Sequence, residues 1–200
     1  MGRIGRMEHE HKTAFEPAHA PPGPGPVVLV LASGRGERFR ASGGQTHKLQ
    51  ADLRGRSVLQ RTLDAVRASG LAWHLEDRGH PGMGDSIAAA VRATAQAPGW
   101  LILPGDLPLV RPETLQRVAE ALSHCTVVLP RHAGEKGHPV GFAASCREGL
   151  LGLSGDGGAA SVLRQWQALG QVLTLDLDDV GIVTDIDTLD DLARAALRWP

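Results

Sequence analysis

The stretch VVLVLASGRGERF, residues 27–39, decides the fold. Its first half, VVLVLA, is a continuous apolar run with the length of a strand buried on both faces, as in a parallel sheet covered by helices. Its second half turns abruptly to glycine and arginine. In such sheets ligands sit beyond the carboxyl ends of the strands, where a glycine-bearing turn lets backbone N–H groups close on phosphate oxygens. Leu31, Ala32, Ser33, Gly34, Arg35 and Gly36 would make that turn, with Arg35 and Arg38 adding charge. Lys48 follows a second flexible stretch, SGGQTH. The pattern is neither GxxxxGK[ST] nor GxGxxG, and read alone it serves equally as a surface loop.

Outward from this stretch, apolar runs recur at 100–104 (WLILP), 126–130 (TVVLP), 139–144 (PVGFAA) and 171–177 (QVLTLDL). Helical patterns separate them. Residues 57–68 place Val58, Leu59, Leu63 and Val66 on one face; 86–97 follow Asp85 as a possible cap, and 113–122 follow Pro112. Further helices are expected at 159–169 and 189–197. Strands alternating with helices predict an α/β fold of three layers with a mostly parallel central sheet. Residues 27–200 read as one domain. Residues 1–26 read as a disordered tail: polar, carrying His9, His11 and His19, and ending in PPGPGP, which suits neither a helix nor a central strand.

Composition narrows the function classes. The 200 residues contain 42% hydrophobic and 22% charged side chains, ordinary for a globular protein. A formal net charge of −1 gives no reason to expect a nucleic-acid polymer or an anionic membrane as partner. Two cysteines, Cys125 and Cys146, lack CxxC spacing and imply neither a disulfide framework nor a zinc site, which fits a reducing cytoplasm. No apolar stretch has the length of a membrane span, and residues 1–26 lack the apolar core of a signal peptide.

Two acidic segments could complete a site at the glycine turn. In LILPGDLPLV, Asp106 follows a buried strand and the Pro104–Gly105 pair, so its carboxylate would reach the same sheet edge. A hard oxygen there suits Mg²⁺, which takes one or two protein carboxylates and completes its shell with phosphate; a plain turn aspartate is the alternative. In GIVTDIDTLDD, Asp185 and Asp187 precede a helix and read either as caps or as further metal ligands. GMGDS, with Gly82, Met83 and Ser86, and SGDGGA, with Asp156, Gly157 and Gly158, each open a helix and are candidate anion or base contacts. His138, in GHPVGF, reads either as a substrate contact or as a histidine satisfied by backbone. No hydroxyl or thiol is paired with a histidine motif, so covalent catalysis is not expected.

The ordered set LASGRGERF, HKL, GMGDS, PGDLPLV, GHPV, SGDGGA and DIDT resembles the molybdenum cofactor cytidylyltransferase family, part of the wider NTP-transferase group that includes the guanylyltransferase of the same pathway. The resemblance runs from Val27 to about Ala196. It implies a Rossmann-like nucleotidyltransferase in which Gly34, Gly36, Arg38 and Lys48 contact the triphosphate. Asp106 matches the magnesium-binding aspartate, with Asp185 and Asp187 matching DIDTP. GMGDS would lie near base and ribose, and SGDGGA on the acceptor side. GHPV points to the cytidylyl branch. Implied partners are CTP, a molybdopterin-type acceptor and a molybdenum-containing oxidoreductase client. The chain departs from the pattern at Glu37, Phe39 and Leu189. Between Gly70 and Gly82 it has only LAWHLEDRGHP, where family members fit two strands and a helix, so the sheet should be smaller than usual. Transfer to another acceptor or from GTP, and a non-enzymatic carrier of the cofactor, are the competing readings.

Overall fold

The apolar run at 27–31 forms strand β1 (Val27–Leu31), every residue of it buried. The computed structural model describes residues 25–34 and 36–198. Residues 1–24, which hold the expected tail and its histidines, and Arg35 lie outside the described residues. After β1 come the short helix α1 (Glu37–Ala41), a 3-10 turn at Lys48–Gln50, and a hairpin of β2 (Asp52–Leu53) and β3 (Arg56–Ser57). Then α2 (Val58–Ala68), β4 (Trp73–Glu76), α3 (Met83–Ala93), β5 (Gly99–Pro104) and α4 (Pro112–Leu122) alternate. The strands β6 (Val127–His132), β7 (Glu135–Lys136) and β8 (Val140–Ala143) are followed by α5 (Arg147–Leu151), α6 (Ala160–Ala168), β9 (Val172–Asp176) and α7 (Leu189–Arg198).

Local chemistry sets the helix starts. Ser57 and Gln60 cap α2 reciprocally: the Ser57 hydroxyl accepts from Gln60 N at 3.2 Å, and Gln60 Oε1 accepts from Ser57 N at 3.1 Å. Pro112, which has no N–H to lose, opens α4. Helix α3 begins at Met83, earlier than the expected cap at Asp85. Gly82 is the cap residue, and the Asp85 carboxylate instead accepts the backbone N–H of Gly155 at 2.9 Å.

The main sheet runs β4-β1-β5-β8-β6-β7, with β9 on β6. Pairs β1–β4, β1–β5 and β6–β9 are parallel, and β8 is antiparallel to both β5 and β6. Five strands therefore share one direction, and the expected mostly parallel sheet holds. β7 and β8 run against it because the connection back from β6 is a short turn, too short for a crossover helix. β4, which the pattern of LAWHLEDRGHP does not announce, adds an edge strand beside β1.

Alternate residues of β1 enter opposite layers. Val27, Leu29 and Leu31 pack with Ile87, Ala90 and Val91 of α3 and with Leu150 and Val162 of α5 and α6. Val28 and Val30 pack with Leu63 and Val66 of α2 and with Leu115 and Val118 of α4. A smaller cluster of Phe39, Leu49, Leu53, Val58, Ile186 and Ala195 ties α1, the Lys48 turn, the hairpin and α7 together at one end of the sheet. Among the described residues no helix is long and apolar enough to cross a membrane.

Candidate active site

The registers bring three strand ends level: Leu31 of β1 stands opposite Glu76 of β4 and Pro104 of β5. Beyond these ends opens a cavity of about 480 Å³. The turn after β5 is locked to β1. Gly105 N donates to Leu31 O at 2.9 Å, the Thr62 hydroxyl donates to Gly105 O at 2.9 Å, and a Cβ on Gly105 would stand 3.0 Å from Leu31 O. Asp106 is thereby delivered to the cavity, and Ile186 N donates to Asp106 O at 3.0 Å, which brings the DIDT segment alongside.

Lys48 joins the two acidic segments. Its ammonium donates to Asp106 Oδ2 at 2.6 Å and to Asp187 Oδ1 at 2.7 Å, and Arg38 donates to Asp187 Oδ2 at 2.7 Å. Lys48 is 13% exposed, Asp106 14% and Arg38 82%, so the inner pair is screened from water and the outer one is not. Burial alone would push the Lys48 pKa down; the facing Asp106 and Asp187 carboxylates outweigh it and hold the ammonium above its ordinary value. Burial pushes Asp187 up, but hydrogen bonds and charge from Lys48, then Arg38, hold it below the usual carboxylate range. Asp185 goes the other way: burial and the negative charges of Asp106 and Asp187 raise its pKa.

The glycine turn is braced from outside. Gly36 adopts φ 63°, a conformation that disfavours side chains, and caps α1. The His47 ring packs against it. His47 Nδ1 accepts from Leu49 N at 3.3 Å, so Nε2 carries the proton and donates to Gly34 O at 2.6 Å. The hydroxyls of Ser33 and Ser86 meet at 2.5 Å and tie the turn to α3.

The opposite wall consists of His80, Pro81, Gly82, Met83 and Asp156. Here two glycine-rich stretches meet backbone to backbone. A Cβ on Gly82 would lie 2.3 Å from Gly155 C, and one on Gly84 would lie 2.8 Å from Ser154 O. GMGDS and SGDGGA therefore form one surface, and only glycine permits the approach.

Of the residues singled out in the sequence, Leu31, Ser33, Gly34, Gly36, Arg38, Lys48, Gly82, Met83, Pro104, Asp106, Asp156 and Asp187 line this cavity. His138 does not. It is partly buried, its pKa is lowered by desolvation despite the Ile102 carbonyl and Asp106, and its Nδ1 has no hydrogen-bond partner among the described residues, so neither alternative for it is decided. Neither Asp185 nor Asp187 caps α7. The Thr188 hydroxyl accepts from Asp191 N at 3.2 Å, while Asp191 Oδ2 accepts from Thr188 N at 2.7 Å and Asp187 N at 3.2 Å. Sequence reasoning passed over Leu49, His80 and Pro81; the pairing of His80 with Glu76 spans a strand end, and no motif marks it.

The donor set fits a divalent cation carried in with phosphate. Asp106 Oδ1 is buried with no hydrogen-bond partner among the described residues, and Asp185 and Asp187 bring further carboxylates close enough to perturb one another. Among the described residues no three acidic, histidine or cysteine side chains assemble a metal cage unaided. Asp106 and Asp187 line the cavity and Asp185 does not, so the carboxylates there would hold an ion only with substrate completing its shell.

The sequence pattern of the MobA-like NTP transferase domain family matches residues 65–172. The chain belongs to this family. Among curated relatives, the MobA-like chain is 26% identical to the bifunctional protein GlmU of Xanthomonas axonopodis over 196 residues, covering 86% of this chain and 39% of that protein. It thus spans well under half the length of that relative. It is 30% identical to the purine catabolism protein PucB of Bacillus subtilis over 128 residues, 62% of each chain. A solved nucleotidyl transferase from Methanothermobacter superposes with a TM-score of 0.72 at 24% identity, covering 88% of this chain and 99% of that one. Molybdopterin-guanine dinucleotide biosynthesis protein A from Archaeoglobus fulgidus superposes with a TM-score of 0.57 at 19% identity, covering 86% and 97%. These likenesses establish the Rossmann-like nucleotidyltransferase fold of the MobA-like chain.

Proposed function

We propose that this chain transfers CMP from CTP to a molybdopterin-type cofactor and releases pyrophosphate. The observation that carries the reading is the Lys48 ammonium set between Asp106 and Asp187 in a cavity that Gly34 and Gly36 also line. Family membership supports nucleotidyl transfer as the reaction class. The GHPV motif, which resembles the cytidylyl branch, supports CTP.

In the reaction an oxygen of the acceptor's terminal phosphate attacks the α-phosphorus of CTP. The bond from that phosphorus to the bridging oxygen breaks, and the electron pair leaves with pyrophosphate. The acceptor phosphate is ionised at neutral pH, so no general base is required, in keeping with the missing nucleophile motif. Lys48 and Arg38 hold the triphosphate and balance the charge that grows on the leaving oxygens, together with amides of the glycine turn. When bound, Mg²⁺ would be held by Asp106, with Asp187 or Asp185 beside it, and would supply charge neutralisation to the phosphates. Asp156, which also lines the cavity, would lie on the acceptor side, as the resemblance of SGDGGA implies.

The test is direct: purified chain with Mg²⁺, molybdopterin cofactor and each of CTP, GTP, ATP and UTP, with the dinucleotide product read by mass spectrometry. The expected product is the cytidine dinucleotide. Product from GTP would move the chain to guanylyl transfer. Tight cofactor binding with no product from any NTP would make it a carrier.

A further inference from the structure

The cavity wall opposite Lys48 holds a polar cluster that phosphate chemistry does not use. Glu76 closes β4 beside the glycine turn, Ala32 N donates to its carbonyl at 2.9 Å, and its side chain is 1% exposed. On Oε1 it collects His80 Nε2 at 3.1 Å and Arg78 Nε at 3.2 Å; Arg78 Nη2 lies 3.4 Å and His74 Nε2 3.5 Å from Oε2. Burial pushes the Glu76 pKa up, but hydrogen bonds from Arg78 and His80 outweigh it, so the group is an ionised carboxylate. A carboxylate only accepts, so His80 Nε2 carries the proton and donates. With Nε2 donating to Glu76, the tautomer that leaves a lone pair on Nδ1 is the one this contact selects, and Nδ1 is the ring's free acceptor position.

His80 itself lines the cavity, followed by Pro81, Gly82 and the half-exposed Met83. Proline and methionine give flat, polarisable apolar surface; the cavity lining here holds no lysine or arginine, Arg78 pairing with Glu76 behind it, and its one charged residue is Asp156. Such a wall suits an uncharged planar ring. The wall and the glycine turn belong to one cavity at neighbouring strand ends, Glu76 closing β4 opposite Leu31 of β1, so a nucleotide with its phosphates on the turn has its base on this side.

We infer that His80, oriented by Glu76, reads the nucleotide base by accepting a hydrogen bond at Nδ1 from an exocyclic amino group, which admits cytosine and rejects uracil. Cytosine carries an amine where uracil carries a carbonyl. The carbonyl would set two lone pairs against each other and leave the ring acceptor unpaired, and sites built to bond a substrate N–H discriminate strongly against analogues without it. His80 is the specificity residue and Glu76 its positioning residue; the assignment rests on the nucleotidyl-transfer reading and names the base it takes.

The experiment is calorimetric binding of CTP and UTP, with Mg²⁺, to the full chain and to its His80→Leu, His80→Gln and Glu76→Gln variants, with melting temperatures of the free proteins alongside. The expected result is CTP binding at least about tenfold tighter than UTP to the unaltered chain. That ratio falls towards one in His80→Leu and shrinks in His80→Gln and Glu76→Gln, whether or not the melting temperature moves. A merely structural cluster would lower the melting temperature and leave the ratio of the folded fraction unchanged, which would overturn the inference. Equal binding of CTP and UTP to the unaltered chain would overturn it too. Failure of the unaltered chain to bind any NTP would instead overturn the nucleotidyl-transfer reading beneath it.

Discussion

The two walls of the cavity are built on opposite principles. On one, Lys48, Asp106, Asp187 and Arg38 are held by charge, and buried Asp106 Oδ1 has no partner among the described residues. On the other, Gly82 and Gly84 lie against Ser154 and Gly155 so closely that backbone packing fixes the surface. In the proposed reaction the charged wall would meet phosphate and a cation; the glycine wall provides shape. Substitutions of the charged residues on the first should therefore change chemistry more than stability, and substitutions of the packed glycines Gly82 and Gly84 on the second the reverse.

The largest expected effect is on the charged wall. Asp106→Asn keeps the shape and a hydrogen bond to Lys48 but removes the negative charge. Turnover of CTP should fall by about a hundredfold or more while the chain melts close to the unaltered protein, if charge stabilisation dominates the barrier. Steady-state rates with circular dichroism melts check both halves. Lys48→Ala comes next. A desolvated charge-assisted contact is worth about 1.5–3 kcal/mol, so CTP affinity should drop by roughly ten- to a hundredfold, with CMP, which lacks the outer phosphates, far less affected. Equal losses for CTP and CMP would move Lys48 off the triphosphate.

The glycine wall should answer differently. A methyl at Gly84 meets the Ser154 backbone at 2.8 Å, and overpacking of this kind costs about 1–3 kcal/mol. Gly84→Ala should lower the melting temperature by about 2–4 °C for each kcal/mol lost. Turnover of the folded fraction at a permissive temperature should stay within a fewfold of normal. Loss of turnover at unchanged stability would erase the contrast between the walls.

The smallest effects distinguish two aspartates by sign. The folded-state pKa of Asp187 is depressed, so its contribution to stability is present above the unfolded carboxylate value and lost as pH falls through the folded one. Asp187→Asn should melt lower at pH 7, with the deficit closing below about pH 4. The folded-state pKa of Asp185 is raised, so its ionised form costs stability once pH exceeds that value, and the cost vanishes below the unfolded one. Asp185→Asn should melt slightly higher at pH 7 and no differently in acid. Melts across pH 3–8 of both variants, roughly spanning the carboxylate range, read the signs directly.

How much of this was legible in the sequence follows the same division. β1, β5 and β6 announce themselves as apolar runs because both their faces are covered. β4 does not, since WHLE is four residues on a sheet edge and only Glu76 is fully buried. The charged wall was legible as residue types at strand ends: Arg38, Lys48, Asp106 and Asp187 all line the cavity. The pairing of Lys48 with both aspartates, set by the small apolar cluster around Phe39 and Ile186, was not. GHPV leaves His138 open between a substrate contact and a backbone-satisfied histidine, because residue type and spacing do not give the partners of a side chain. The cap of α7 stays open in the sequence because Asp185, Asp187 and Thr188 all carry side-chain oxygens, and only backbone geometry selects Thr188 with Asp191.

The central claim is that the charged wall receives a nucleoside triphosphate together with a cation. Calorimetric titration of CTP into the full chain, with Mg²⁺ and with chelator, tests it most directly, with Asp106→Asn as the paired variant. The account predicts binding that Mg²⁺ strengthens at least about tenfold in the unaltered chain and fails to strengthen in Asp106→Asn. CTP binding that ignores Mg²⁺ in both proteins, or that Mg²⁺ strengthens equally in both, would contradict it.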